Sequence, residues 1–138
     1  MRFMIIVKAT RDSEAGVMPE EKLIAEMTEY HEELAKEGVL LDASGLQPSS
    51  KGWRIQYRGA KRTFVDGPFA ETKELIAGYT LIQVKSREEA VEWTKRYPNP
   101  AGHGKSAEIE VRQLFELDDF GPSDAIERFR KIEVGGTK

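Results

Sequence analysis

At 138 residues the chain has the length of one domain with a single core, and a third of it is charged. A formal net charge of -3 and an isoelectric point near 5.5 lack the basic excess needed to bind a phosphate backbone, which argues against nucleic acid as a partner. With no cysteine there is no disulfide, no thiolate metal ligand and no cysteine nucleophile.

Phe3 to Lys8 is almost wholly apolar, which predicts a strand covered on both faces and central in its sheet. The apolar part, Phe3 to Val7, is shorter than the roughly 7–15 residues of a signal-peptide core. No later run approaches the roughly 20 residues needed to cross a bilayer. The expectation is a cytoplasmic protein with no membrane partner. Pro19, Glu20 and Glu21 mark a helix start, and Leu23, Met27, Tyr30 and Leu34 recur at helical spacing up to Gly38. Val39 to Leu41 reads as a second strand, followed by a loop through Ser44-Gly45 and Pro48 to Gly52. Trp53, Ile55 and Tyr57 alternate with Arg54, Gln56 and Arg58, and after Gly59 the segment Thr63 to Val65 returns as the other arm of a hairpin. Ile76 to Val84 gives another strand. Ser86 and Glu89 form a capping box that opens a helix carrying Ala90, Val91, Trp93 and Tyr97, stopped by Pro98 and Pro100. Ala107 to Leu117 alternates, with Ile109, Val111, Phe115 and Leu117 on one face. From Pro122 a short helix is expected through Arg130, presenting Ile126 and Phe129, while Gly135 to Lys138 should fray.

That order predicts an α+β fold, a ferredoxin-like antiparallel sheet with an inserted β-hairpin and both helices on one face. Residues 1–120 form the domain and 121–138 a tail that is not a separate domain. The uncovered sheet face must be hidden by a partner or shaped into a pocket, so a homodimer is expected.

The segment Asp66 to Glu74, DGPFAETKE, is the densest in chemistry. Asp66 can cap local backbone donors, Gly67 permits φ > 0 and Pro68 fixes φ, which predicts a sharp turn after the hairpin. Glu71, Thr72, Lys73 and Glu74 then crowd into four positions that a turn alone does not require. They read either as a pocket rim or as a solvated, charged loop.

Of the two histidines, His31 lies on the first helix at the edge of its apolar stripe, facing core or cleft, and His103 sits between Gly102 and Gly104 in a surface loop. Two histidines on separate elements make a poor metal set, so no metal is expected. No serine has a nucleophile-elbow setting, and no glycine-rich phosphate loop is present, so no cofactor is expected. Lys73 and Arg112 could attract a carboxylate or phenolate while Asp66 or Glu71 accepts a proton; equally, they could form structural ion pairs with Glu71 or Glu110. Phe69, Tyr79 and Trp53 could supply apolar walls or simply be core.

DGPFAETKE followed by Leu75-Ile76-Ala77-Gly78-Tyr79 resembles the hallmark of the DGPF proteins, a branch of the YCII-related family. The likeness extends through Met18-Pro19, Gly38-Val39-Leu40-Leu41, Gly45-Leu46 and Glu110-Val111-Arg112. It implies a dimeric ferredoxin-like α/β barrel with a pocket into which the motif loop points. Some YCII-related proteins look like enzymes using a His–Asp pair, and one branch is linked to chlorinated aromatic breakdown. On that resemblance Asp66 and His31 are the catalytic candidates, and Phe69, Glu71, Lys73, Glu74 and Arg112 the binding candidates. Three functions follow: a cofactor-free acid–base enzyme acting on a small-molecule ligand; a ligand-binding regulatory accessory of an extracytoplasmic-function sigma factor; or a structural dimer.

Overall fold

Strand β1, Arg2–Lys8, is laid down by alternation: Phe3 and Ile5 are buried, whereas Met4 and Ile6 between them are only half-buried. The computed structural model, which describes residues 1–132, gives the reason. Helix α2 (Glu21–Lys36) and helix α3 (Arg87–Lys95) deliver Tyr30, Leu34, Ala90 and Trp93 to the same core as Phe3 and Ile5. The expectation of a strand covered on both faces is thus corrected: α2 and α3 both pack on the Phe3–Ile5 side, and Met4 and Ile6 stay half-buried.

β1 is central. Strand β5 (Ile76–Gln83) pairs with it on one side and strand β6 (Ile109–Gln113) on the other, while strand β2 (Leu40–Gly45) lies outside β5. The order β2-β5-β1-β6, antiparallel throughout, is the ferredoxin-like arrangement expected from the element order. Ile5 sits opposite Thr80 and Val111, and Met4 opposite Leu81 and Arg112, which sorts the helix-covered face from the open one. Strands β3 (Trp53–Arg58) and β4 (Lys61–Asp66) form a separate two-stranded sheet.

β2 runs to Gly45, well past the expected Leu41. Asp42, Ala43, Ser44 and Gly45 are weak strand formers, so this extension comes from pairing with β5. Gly45 faces Gly78, where a side chain would meet the Ser44 carbonyl at 2.9 Å. β6 is shorter than expected: after Leu114 donates its N–H to the Arg2 carbonyl at 2.9 Å, the chain leaves the sheet and Phe115 is exposed. A 3-10 turn then spans Leu117–Phe120, and helix α4, Asp124–Arg130, forms as expected behind its Ser123 cap. The expected fraying of Gly135 to Lys138 lies outside the described residues.

Helix α1, Arg11–Glu14, has no counterpart among the expected elements. Thr10 and Ser13 cap each other reciprocally, Ser13 N–H to Thr10 Oγ1 at 3.1 Å and Thr10 N–H to Ser13 Oγ at 2.8 Å. α2 starts after Pro19, which precedes its first turn, and ends at Gly38, whose φ of 73° turns the chain into β2. At the start of α3 Ser86 accepts the Glu89 N–H, but the Glu89 carboxylate reaches the Lys85 N–H, one residue upstream of a standard box. Among the described residues no helix is long and apolar enough to cross a membrane.

The core holds one phenol whose chemistry is testable. Tyr30 donates to the Trp93 carbonyl at 2.7 Å, and burial pushes its pKa well above the ordinary range, as burial also does for Tyr97. A pKa raised on folding gives stability that is full below the unfolded value, about 10, and is lost as pH rises through and beyond it. Urea denaturation at increasing alkaline pH should show stability falling above about pH 10, with a shallower decline in Tyr30→Phe. Equal slopes in the two proteins would exclude Tyr30 as a source.

Candidate functional site

The DGPF corner is built from the end of β4 and the 3-10 turn Ser49–Lys51. Gly67 donates its N–H to the Gly52 carbonyl at 2.9 Å, and Phe69 donates its N–H to Ser49 Oγ at 3.0 Å. Ser49 in turn gives both its donors to one carboxylate: its hydroxyl to Glu14 Oε1, and its N–H to Glu14 Oε2 at 2.9 Å. The short helix α1 therefore anchors the turn, and the turn anchors the motif.

Gly67 has no positive φ, and the Gly67–Pro68 bond is cis. The expectation that glycine supplies a left-handed conformation is corrected: it supplies space. A Cβ at position 67 would stand 1.8 Å from the Ser49 carbonyl oxygen.

Beside this corner lies a cleft of about 300 Å³ whose lining includes Glu14, Leu46, Ser49, Arg54, Phe69 and Ile76. The Arg54 guanidinium sits 3.8 Å above the Phe69 ring centroid. Stacking leaves the N–H donors at the edge of the guanidinium plane for an anion, and the aliphatic and aromatic side chains provide apolar walls. The cleft thus combines one carboxylate, Glu14, two cations, Lys51 and Arg54, and a mainly hydrocarbon surface.

Of the residues expected at the site, only Phe69 lines this cleft. Asp66 ends β4 opposite Trp53 and is exposed, and among the described residues its carboxylate makes no hydrogen bond or ion pair, so it neither lines the cleft nor caps amides. Glu71, Lys73 and Glu74 lie on and just before the 3-10 turn Thr72–Glu74, exposed and outside the lining. Arg112 is on the far edge strand, four residues along from the Lys8 level at which β5 begins, about 13 Å in strand rise. There it pairs with Glu110 at 3.2 Å, and Lys8 reaches the same carboxylate at 3.8 Å. Trp53 stacks on Phe64, and Tyr79 donates to Asp42 at 2.8 Å on the open sheet face.

His31 is held elsewhere. Its Nδ1 lies 2.7 Å from the Met27 carbonyl, which can only accept, so Nδ1 carries the proton. Nε2 then accepts from the Thr80 hydroxyl at 2.8 Å, and Thr80 is 1 % exposed. Both ring nitrogens are engaged, and neither partner is Asp66, so the structure does not assemble the His–Asp pair that the resemblance implied. His103 is exposed in its loop. Among the described residues no three His, Asp or Glu side chains gather as a metal site.

No local signal in the sequence marks Glu14, Ser49 or Arg54 as lining one cleft. The pattern Thr10-x-x-Ser13 could have located α1, but nothing local says that its last residue binds a turn 35 positions later.

Comparison with known proteins places the chain in a family. Over 95 residues it is 26% identical to an uncharacterised protein of Rhizobium meliloti (strain 1021), covering 69% of this chain and 75% of that protein. Among solved structures it is similar to the 5-chloro-2-hydroxyhydroquinone dehydrochlorinase TftG of Burkholderia phenoliruptrix AC1100, determined in complex with 2,5-dihydroxybenzoquinone. The TM-score is 0.42 at 15% identity, over 83% of this chain and 94% of that one. The YCII-related domain matches residues 1–116, and the chain belongs to the YCII-related family.

Proposed function

We propose that this chain binds a small, largely apolar molecule with one anionic head in the cleft at the DGPF corner, and that it does so as a homodimer joined across the open sheet face. The observation that carries the ligand reading is Arg54 stacked on Phe69 at 3.8 Å beside the Glu14–Ser49 pair. A carboxylate or phenolate head meets the guanidinium edge, and its ring or chain lies along Phe69, Leu46 and Ile76. Glu14 is the cleft's proton acceptor, held in place by both donors of Ser49. The dimer reading rests on the half-buried row Met4, Ile6, Tyr79 and Leu81, on the sheet face opposite the one that α2 and α3 cover.

A thermal-shift and ligand-observed NMR screen of aromatic carboxylates and phenols tests the cleft. Hits on the wild type should weaken at least about tenfold in Arg54→Ala, a loss of about 1.4 kcal/mol, and remain unchanged in Asp66→Asn. The opposite ranking, with Asp66→Asn losing the ligand and Arg54→Ala keeping it, would move the site to the loop. Mass analysis of the hits after incubation separates an enzyme from a binding module: turnover that disappears in Glu14→Gln assigns acid–base chemistry.

A further inference from the structure

The two faces of the hairpin differ in charge. Cross-strand register sets Arg54 against Val65, Gln56 against Thr63 and Arg58 against Lys61, all on one face, while Trp53, Tyr57 and Phe64 alternate onto the other. The first of these faces opens on the cleft, because Arg54 lines it. It carries three cations and no acid. Lys51, which also lines the cleft, adds a fourth cation. Glu14, the acid of the lining, already accepts the hydroxyl and the N–H of Ser49.

Four cations against one engaged acid is an excess in a chain whose net charge is -3. Among the described residues, none of Lys51, Arg54, Arg58 and Lys61 forms an ion pair. At the hairpin tip the arrangement is unfavourable by itself. Arg58 and Lys61 stand directly opposite each other, with Cβ atoms about 5 Å apart, and like charges so placed destabilise a strand pair. The two-residue turn Gly59–Ala60 between them requires neither cation. An anion seated between the two turns the repulsion into a pair of charge-assisted hydrogen bonds.

Arg54 and Arg58 are four residues apart on β3, about 13 Å in strand rise. A compact anion held at Arg54 therefore does not reach the Arg58–Lys61 pair. An extended one does, by running from the cleft along this face of the hairpin. Gln56 and Thr63 lie between the two cationic points, exposed and uncharged, so nothing on the path repels or neutralises an anionic ligand.

We propose that the ligand of the cleft is an elongated molecule with two anionic ends, a carboxylate or phenolate at Arg54 and Lys51 and a phosphate-like group about 13 Å away between Arg58 and Lys61. Phe69 and Ile76 take the apolar part next to the first end. The second end is phosphate-like because two cations face it, and a dianion with three acceptor oxygens serves both. The inference rests on the cleft reading above and adds what the far end of the ligand carries.

Isothermal titration calorimetry with two probes of the same carbon chain, undecanoate and ω-phosphonoundecanoate, tests it at mildly alkaline pH, where the phosphonate is a dianion. The wild type should bind the phosphonate about tenfold more tightly than undecanoate. That advantage should shrink in Arg58→Gln and vanish in Arg58→Gln/Lys61→Gln, with undecanoate binding as before, whereas Arg54→Ala should weaken both probes. Arg62→Gln removes a charge from the other face of the hairpin and should keep the advantage. Equal affinity of the two probes for the wild type, an advantage that survives the double substitution, or one lost as much in Arg62→Gln as in Arg58→Gln would overturn the second anion site and leave the cleft standing. Undecanoate that does not bind, or that ignores Arg54→Ala, overturns the cleft reading and the two-ended ligand with it.

Discussion

Gly67→Ala is expected to detach the hairpin corner while leaving the four-stranded sheet folded. The added methyl would lie 1.8 Å from the Ser49 carbonyl oxygen and 2.7 Å from its carbon, so backbone must move. The 3-10 turn can retreat only by breaking the Gly67-to-Gly52 and Phe69-to-Ser49 hydrogen bonds. Overpacking plus two lost hydrogen bonds comes to roughly 2–4 kcal/mol. The loss should be local, because the hairpin is a separate sheet joined to the core through this corner. Hydrogen exchange should therefore show the Phe69 and Gly67 amides losing protection while Ile5 and Ile82 keep theirs. Gly59→Ala is the control. Gly59 has φ 58° and nothing within 4 Å of an added methyl, so it should cost about 1 kcal/mol and leave the Phe69 amide protected. If Gly67→Ala keeps the Phe69 amide protected, the crowding account fails. The same substitution should abolish the ligand shift, since Glu14 and Ser49 shape the cleft only while the turn stays in place.

The elements that could be read in the sequence are those whose signal is local. Phe3 to Val7 is an unbroken apolar run, Tyr30 and Leu34 recur one helical turn apart, Ser86 caps α3, and the hairpin alternates to its Gly59 turn. Their order was enough to give the ferredoxin-like sheet. The extension of β2 could not be read, because Asp42 to Gly45 are strand only by virtue of β5 beside them. The site was harder still. The DGPF motif lies beside the cleft, but residue type alone does not tell which way its side chains point. Side chains alternate along β4, so Asp66 shares the outward face with Trp53 and Phe64, and it is the amides of Gly67 and Phe69 that reach inward. Glu14 and Ser49 meet across 35 residues, and His31 meets Thr80 across 49, distances at which one sequence carries no pairing information.

Ile82→Ala and Leu81→Ala, one residue apart on β5, should differ in kind as well as size. Ile82 is fully buried opposite Phe3 on the helix-covered face, so removing three carbons leaves a cavity and costs about 2–5 kcal/mol at any protein concentration. Leu81 lies opposite Met4 and Asp42, on the face turned away from α2 and α3. In a single chain water fills the space that it vacates, and the cost is about 1 kcal/mol. Where a second copy packs on that face, Leu81→Ala also weakens association, and mass action makes its apparent cost grow with concentration. Urea denaturation at two protein concentrations a hundredfold apart, roughly 2.7 kcal/mol of mass action, reads the difference. The Ile82→Ala deficit should be the same at both, and the Leu81→Ala deficit larger at the higher one. A Leu81→Ala deficit that is small and concentration-independent means that the open face meets only water, and the sheet-face dimer is then overturned.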